Sequence, residues 1–322
     1  MASNKRPDPY PMGDLFVQDI IDYSPKEERT MMERPFFSLS KRKRNKPIDY
    51  VSDDKQVFVR VLPHPDYGMA TIWDHDILIW CISKVVAEKA RGSNFDSRTI
   101  YTTPHEILRG IARGVSGTEY RRLFEAINRL RHTSVETNIR ARGKQFASFS
   151  WLSEFQGEGN INTPDEIANV KSISLSLPMW IHDAILKTDN VLTLDREYFM
   201  LTSGLDRALY RIARKHAGAQ TAGWTCGFPT LHMKTGSDSS VKKFNEMLKR
   251  AVKENNLPRY QMTLTELQDG TPAVHFIDRK IQEVQIEAKK LQADTERLER
   301  LGREDARQAL IDSGKSPRTA KR

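Results

Sequence analysis

Four polar side chains in "EYRRLFEAINRLRHTSVETNI", residues 119–139, are spaced to recognise something rather than to break a bond. The stretch has helical period as far as about Leu130 and then turns β-branched. At ~100° per residue, Arg121, Arg122, Asn128 and Arg129 fall opposite a stripe of Leu123, Ile127 and Leu130. An arginine can donate bidentately to guanine O6 and N7, and Asn128 can pair with adenine. Arginine and lysine also neutralise phosphates. Glu125 either accepts from cytosine or holds a neighbouring arginine along the helix, and both readings stand.

The same face recurs in "SVKKFNEMLKRAVKENN", residues 240–256. One constant offset places Leu123 on Phe244, Ile127 on Leu248 and Leu130 on Ala251. It also places Arg121 and Arg122 on Lys242 and Lys243, Asn128 on Lys249, Arg129 on Arg250 and His132 on Lys253. A single cationic face is ordinarily solvated surface. Two in matching register, each followed by a hairpin pattern, point to nucleic acid.

After the first face, "SVETNI" and "FASFSWL" read as strands around the basic turn "RARGKQ", whose Arg140, Arg142 and Lys144 suit phosphates or a minor groove. The second hairpin, "YQMTLTEL" and "PAVHFID", has Asp269 at its tip and is a poorer phosphate binder. The first unit is therefore expected to grip more firmly. The run "KRKRNKP", Lys41–Pro47, reads equally as a DNA-tracking arm or as a basic arm with no fixed role.

Catalysis is hard to assemble from these residues. Among eight histidines there is no HxH pair beside a tyrosine, as a metal-dependent nicking initiator would need. "WDHD", Trp73–Asp76, has the ingredients of a metal site, but Asp76 reads better as a helix N-terminal acid favoured by the dipole. There is no GxxxxGK[ST] loop for a nucleoside triphosphate. Cys81 and Cys226 lie far apart without CxxC spacing and read as buried spectators. Trp80, Trp151, Trp180 and Trp224 read as core aromatics. No catalytic residue, metal or cofactor is expected, so the chain reads as a binding protein and not an enzyme.

The elements that must position the two faces follow from the rest of the chain. Its 322 residues leave room for roughly two domains. No apolar run approaches the ~20 residues of a membrane span, and the N-terminus lacks the apolar core of a signal peptide, so a cytoplasmic protein is expected. A net charge of +9 favours polyanionic partners. Residues 1–50, polar and rich in Pro, Asp and Lys, predict an extended, partly disordered arm. "VFVRVLPHPDYGMATIWD" predicts two strands, "DILIWCISKVVAEKA" a helix and "TPHEILRGIARG" a short helix closed by Gly114. Ser116 and Glu119 fit a capping box that starts the third helix. Three helices and a hairpin is the order of a winged helix-turn-helix. "KSISLSLPMWIHDAILK" adds a strand and a helix that close this half. Near Leu192 the order restarts with "LTSGLDRALYRIARKHAG", "FPTLHMKTG" and the second cationic helix. The predicted fold is α+β: tandem winged-helix domains at 51–190 and 191–280, preceded by the arm. A charged helix and basic tail at 281–322 follow.

The ordered blocks "ERPFFSLSKRKRNKPIDY", "YGMATIWDHDILIW", "LRGIARG", "YRRLFEAINRLRHTSVETNIR", "LSLPMWIHDAIL" and "LTSGLDRALYRIARKHAG" resemble the plasmid replication initiator protein A (RepA) family of bacteria. The likeness runs from about Glu33 to Gly218, and more loosely to about residue 280. The charged C-terminus matches no block of the family. The resemblance implies a tandem winged-helix initiator that binds double-stranded DNA at directly repeated sites in a plasmid origin. It further implies opening of a neighbouring AT-rich duplex and recruitment of host replication initiator and helicase proteins. Relatives often repress their own gene as homodimers and initiate as monomers. A winged-helix transcriptional repressor would use the same two helices and is the alternative; a nicking relaxase is the distant third.

Overall fold

The computed structural model describes residues 24–92, 97–139, 145–159, 170–186, 190–218 and 220–312. In chain order the first part contains β1 (Lys26–Glu28), α1 (Arg29–Met32), β2 (Ile48–Val51), β3 (Phe58–Leu62), α2 (His75–Ala90), β4 (Thr99–Thr102), α3 (Pro104–Gly110) and α4 (Gly117–His132). Then come β5 (Ser134–Thr137), β6 (Ala147–Ser150), β7 (Glu154–Gly159), β8 (Val170–Ser176) and α5 (Met179–Ile185). The second part has β9 (Val191–Thr193), α6 (Gly204–His216), β10 (Trp224–Gly227), α7 (Phe228–Thr235), α8 (Val241–Glu254), β11 (Tyr260–Glu266), β12 (Pro272–Asp278) and α9 (Arg279–Asp312).

One arrangement occurs twice. A helix, a short strand, two more helices and a hairpin follow one another, and the short strand pairs with the second strand of the hairpin. In the second part α6, β10, α7 and α8 lead to a sheet of order β10-β12-β11. In the first, α2, β4, α3 and α4 lead to a sheet of order β4-β8-β7. The strands after α4 that the sequence offers as the first wing, β5 and β6, are an insertion. They join β2 and β3 in a separate antiparallel sheet, β2-β3-β5-β6. The hairpin that matches β11–β12 is β7–β8, which sequence alternation did not single out because β7 is almost wholly polar and exposed.

Local signals explain most helix ends. Thr103 caps α3 by accepting from the Glu106 N–H at 3.1 Å, and Pro104 opens it. α3 stops at Gly110 rather than running on to Gly114, and the left-handed residue is Ala112 at φ 56°. Gly110 is needed for space instead: a Cβ there would lie 2.3 Å from the Trp80 ring. The capping box before α4 does not form either. Ser116 makes no side-chain cap, and Glu119 pairs with Arg122.

The stretch expected as an arm enters the core from residue 24 onward. β1 pairs antiparallel with β9, and Met31, Met32, Phe36 and Phe37 are almost fully buried. Phe37 stacks on Trp151 at 4.8 Å, and Phe36 meets Trp151 edge-on at 5.4 Å. Four large apolar side chains outweigh the polar average of the segment, since each fully buried one contributes roughly 1.5–3 kcal/mol. Trp80, Trp180 and both cysteines are buried as expected, and Trp224 packs against the core from its edge.

The core is continuous through both repeats, and α6 is its centre. Nearly every residue from Gly204 to Ala213 is buried, including Arg207 and Arg211. Arg207 donates to Asp76 of α2 at 2.7 Å and to the carbonyls of Leu201 and Phe199. Arg211 donates to Glu27 of β1 at 2.8 Å. Each of these two buried guanidiniums has a carboxylate partner, which such burial requires. Asp76 does open α2, but the two arginines, Arg207 and Arg113, are its partners.

Candidate nucleic-acid interface

The two cationic helices occupy the same slot of the repeated arrangement. Leu123, Phe124, Ala126, Ile127 and Leu130 bury one side of α4; Phe244, Leu248, Ala251 and Val252 bury one side of α8. Ser240 caps α8 through the Lys243 N–H. Asn255 ends it in the left-handed conformation, at φ 52°, and ties it to β11 by accepting from the Met262 N–H at 3.1 Å. The opposite side of α8 is left to solvent, while that of α4 is exposed at Arg121, Arg122 and Glu125 and half-buried at Asn128 and Arg129.

What they present differs. On α8, Lys242, Lys243, Lys249, Arg250 and Lys253 are all exposed, and none forms an ion pair with a described residue. On α4, Arg121 is exposed and unpaired among the described residues, while Arg122 is exposed but pairs with Glu119. Asn128 is half-buried. Arg129 is not a free reader: its guanidinium donates to both oxygens of Asp74, at 2.7 and 2.8 Å. Burial alone would lower the Arg129 pKa, but Asp74 holds it above its ordinary value. This residue clamps α4 to the turn before α2. Sequence phase put it on the polar face correctly, but Asp74 comes from a distant part of the chain that periodicity cannot see.

Arg140, Arg142 and Lys144 belong to the β5–β6 connection and lie outside the described residues. At the far hairpin Asp269 sits at the exposed tip and accepts from the Thr271 N–H at 2.9 Å, as an acidic turn should.

Beside α4 runs a groove of about 480 Å³ that sequence reading missed. Lys41, Arg42 and Lys43 form one wall; Glu119, Arg122 and Glu125 of α4 form the other. Among the described residues no group of three or more His, Cys, Asp or Glu is placed to hold a metal ion. His75 of the "WDHD" stretch is instead buried beside Glu27 and Phe37. No helix among the described residues is long and apolar enough to cross a membrane.

Comparison with known proteins places these elements in a family. A "Putative replication protein" of Wigglesworthia glossinidia brevipalpis is 34% identical over 256 residues, 77% of this chain and 88% of that protein. Two solved structures of RctB domains 2 and 3 have the same fold at 13% identity. One has a TM-score of 0.52 and covers 76% of this chain and 95% of its own; the other, at 0.51, covers 78% and 97%. The model of the family described as replication initiator protein A matches residues 26–262, which takes in every element from β1 into β11. The chain belongs to the replication initiator protein A family.

Proposed function

We propose that this replication initiator binds repeated sites in a plasmid origin through two winged-helix units, with α4 and α8 in successive major grooves. The observation that carries the reading is the repeated arrangement with a cationic third helix in both copies. Helix N-terminal and central side chains of such an element reach base edges, and flanking cations grip phosphates. In this reading the first wing is β7–β8, and β5–β6 with its basic turn is an added contact. The functional division is 51–190 for the first unit, 191–280 for the second and 281–322 for the charged helix and tail. Binding then promotes opening of the neighbouring duplex and draws in host replication proteins, with a monomer–dimer equilibrium that also serves repression of its own gene. The protein works by binding rather than catalysis, on plasmid DNA in the cytoplasm.

Hydroxyl-radical footprinting on a duplex selected from a random-sequence library tests the reading. The expected pattern is two protected grooves about one helical turn apart, ~34–36 Å, on one side of an asymmetric site. A two-fold symmetric footprint from a dimer on a palindrome would instead establish the repressor alternative.

A further inference from the structure

The run at Lys41–Lys43 is placed where the two repeats meet. Its backbone is pinned at both ends. The Ser38 N–H donates to the Ala70 carbonyl at 3.0 Å, and the Met69 N–H donates to the Arg44 carbonyl at 3.1 Å. The Arg44 side chain, 8% exposed, turns inward and donates to the carbonyl of Gly236 at 2.8 Å and to that of Lys46 at 3.0 Å. Gly236 ends α7 at φ 63° and stands in the turn that leads into α8. A Cβ on Gly236 would come within 2.5 Å of Pro35, so the segment 35–47 is packed against that turn closely enough to require glycine.

The consequence is a charge pattern that four consecutive basic residues do not reveal. Arg44 is spent on fixing the segment. Lys41, Arg42 and Lys43 are exposed and form no ion pair with a described residue. They line the α4 groove, and the segment that bears them reaches the α7–α8 turn through Arg44. Of the carboxylates lining the groove, Asp74 is taken by Arg129 and Glu119 by Arg122, and the exposed Glu125 forms no ion pair with Lys41, Arg42 or Lys43. Lys41 lies over the Trp73 ring with Nζ 4.9 Å from its centroid, which further limits its freedom. Three like charges on a rigid backbone repel one another, and a polyanion laid across them relieves that repulsion with little ordering cost.

We infer that Lys41, Arg42 and Lys43 form a fixed clamp for the phosphodiester backbone of duplex DNA, at the seam between the two reading units. The clamp rests on the DNA-binding reading above. It grips the backbone strand between the two grooves and carries no sequence preference, since phosphates are the same at every step. It also sets the spacing of the units on the duplex, because the same segment touches both.

The test is a triple substitution, Lys41→Ala/Arg42→Ala/Lys43→Ala, in the full chain, measured on a library-selected duplex and on a random one. The slope of log K against log salt should become shallower by about 2.7 on both, at ~0.9 for each phosphate released. Hydroxyl-radical protection between the two grooves should disappear while protection within them stays. The single substitution Arg42→Ala leaves the Lys41–Trp73 contact alone and should give about a third of the change. A steep wild-type slope kept unchanged in the triple variant, with inter-groove protection intact, would overturn the clamp and leave DNA binding standing. A wild-type slope near zero would remove both.

Discussion

α4 and α8 match residue for residue in their register, yet they treat their cations in opposite ways. α8 stands with five exposed cations, none of them in an ion pair with a described residue. α4 is partly covered: Asp74 takes Arg129, Glu119 takes Arg122, and the segment 41–43 lines its flank. A helical face identifies which side chains point away from a helix's own stripe, and says nothing of what other elements lie there. On the helices themselves, α8 therefore presents more cations without an ion pair to a described residue than α4 does, which sets the expected order of grip against that read from the wings. The first unit has exchanged part of its helix charge for attachment, and the basic segment beside it restores charge from outside the helix.

The largest expected effect strikes what the two units share. Arg207 is 1% exposed and its partner Asp76 is fully buried, so Arg207→Ala strips that carboxylate of its buried partner, leaving only the half-exposed Arg113 on it, in the core that joins α2 to α6. Such a loss costs about 3–5 kcal/mol. Urea denaturation followed by circular dichroism should show that drop in one cooperative transition, because the core runs through both units. Two separated transitions would mean that α4 and α8 are held by independent bodies, and the comparison would then have to be drawn within each.

Next comes the matched pair at the same register. Arg129→Ala removes the partner of Asp74, whose side chain is 4% exposed, and should cost roughly 1–3 kcal/mol of stability with sequence preference retained. Arg250→Ala, on the open face of α8, should change stability by less than about 0.5 kcal/mol. If Arg250 contacts guanine bidentately, the same substitution costs about 1–3 kcal/mol of preference at one base pair. Thermal unfolding and competition binding on single-base variants of the site separate the two outcomes. Equal stability loss, or equal loss of preference, would erase the distinction between a clamped and a free cation.

Much of this arrangement was legible in the residues, for identifiable reasons. α4, α6, α8 and the β11–β12 hairpin follow from period and a turn of Gln268–Thr271, both of which are local. Both apolar stripes and the exposed lysines of α8 were readable for the same reason. What escaped depends on distant partners. Phe36 and Phe37 sit in a polar segment, and Trp151, Trp180 and His75, all distant in sequence, make that segment core. β7 offers no apolar alternation because its outer face is solvent, so the hairpin that matches β11–β12 gives no signal in the sequence. Arg44 and Arg129 read as surface cations because their acceptors, the Gly236 carbonyl and Asp74, are far away in sequence.

The smallest effect tests the relative grip of the two helices. Arg121 and Arg122 overlie Lys242 and Lys243, so Arg121→Ala/Arg122→Ala and Lys242→Ala/Lys243→Ala remove the same two charges from the same turn. Before it can bind a phosphate, Arg122 must leave Glu119, an exposed pair one helical turn away worth about 0.2–0.5 kcal/mol. Lys242 and Lys243 carry no such cost, so the α8 double variant should lose more affinity by roughly that same 0.2–0.5 kcal/mol. The difference is electrostatic and exposed, so it should fade toward 1 M salt, where the screening length falls to about 3 Å. Glu119→Gln supplies the internal control: it frees Arg122 and should bring the α4 double variant's loss up to that of α8. Fluorescence anisotropy at several salt concentrations resolves changes of this size. A larger loss from the α4 pair that Glu119→Gln leaves unchanged would show that the first helix grips more firmly despite its attachments, as its sequence alone suggests.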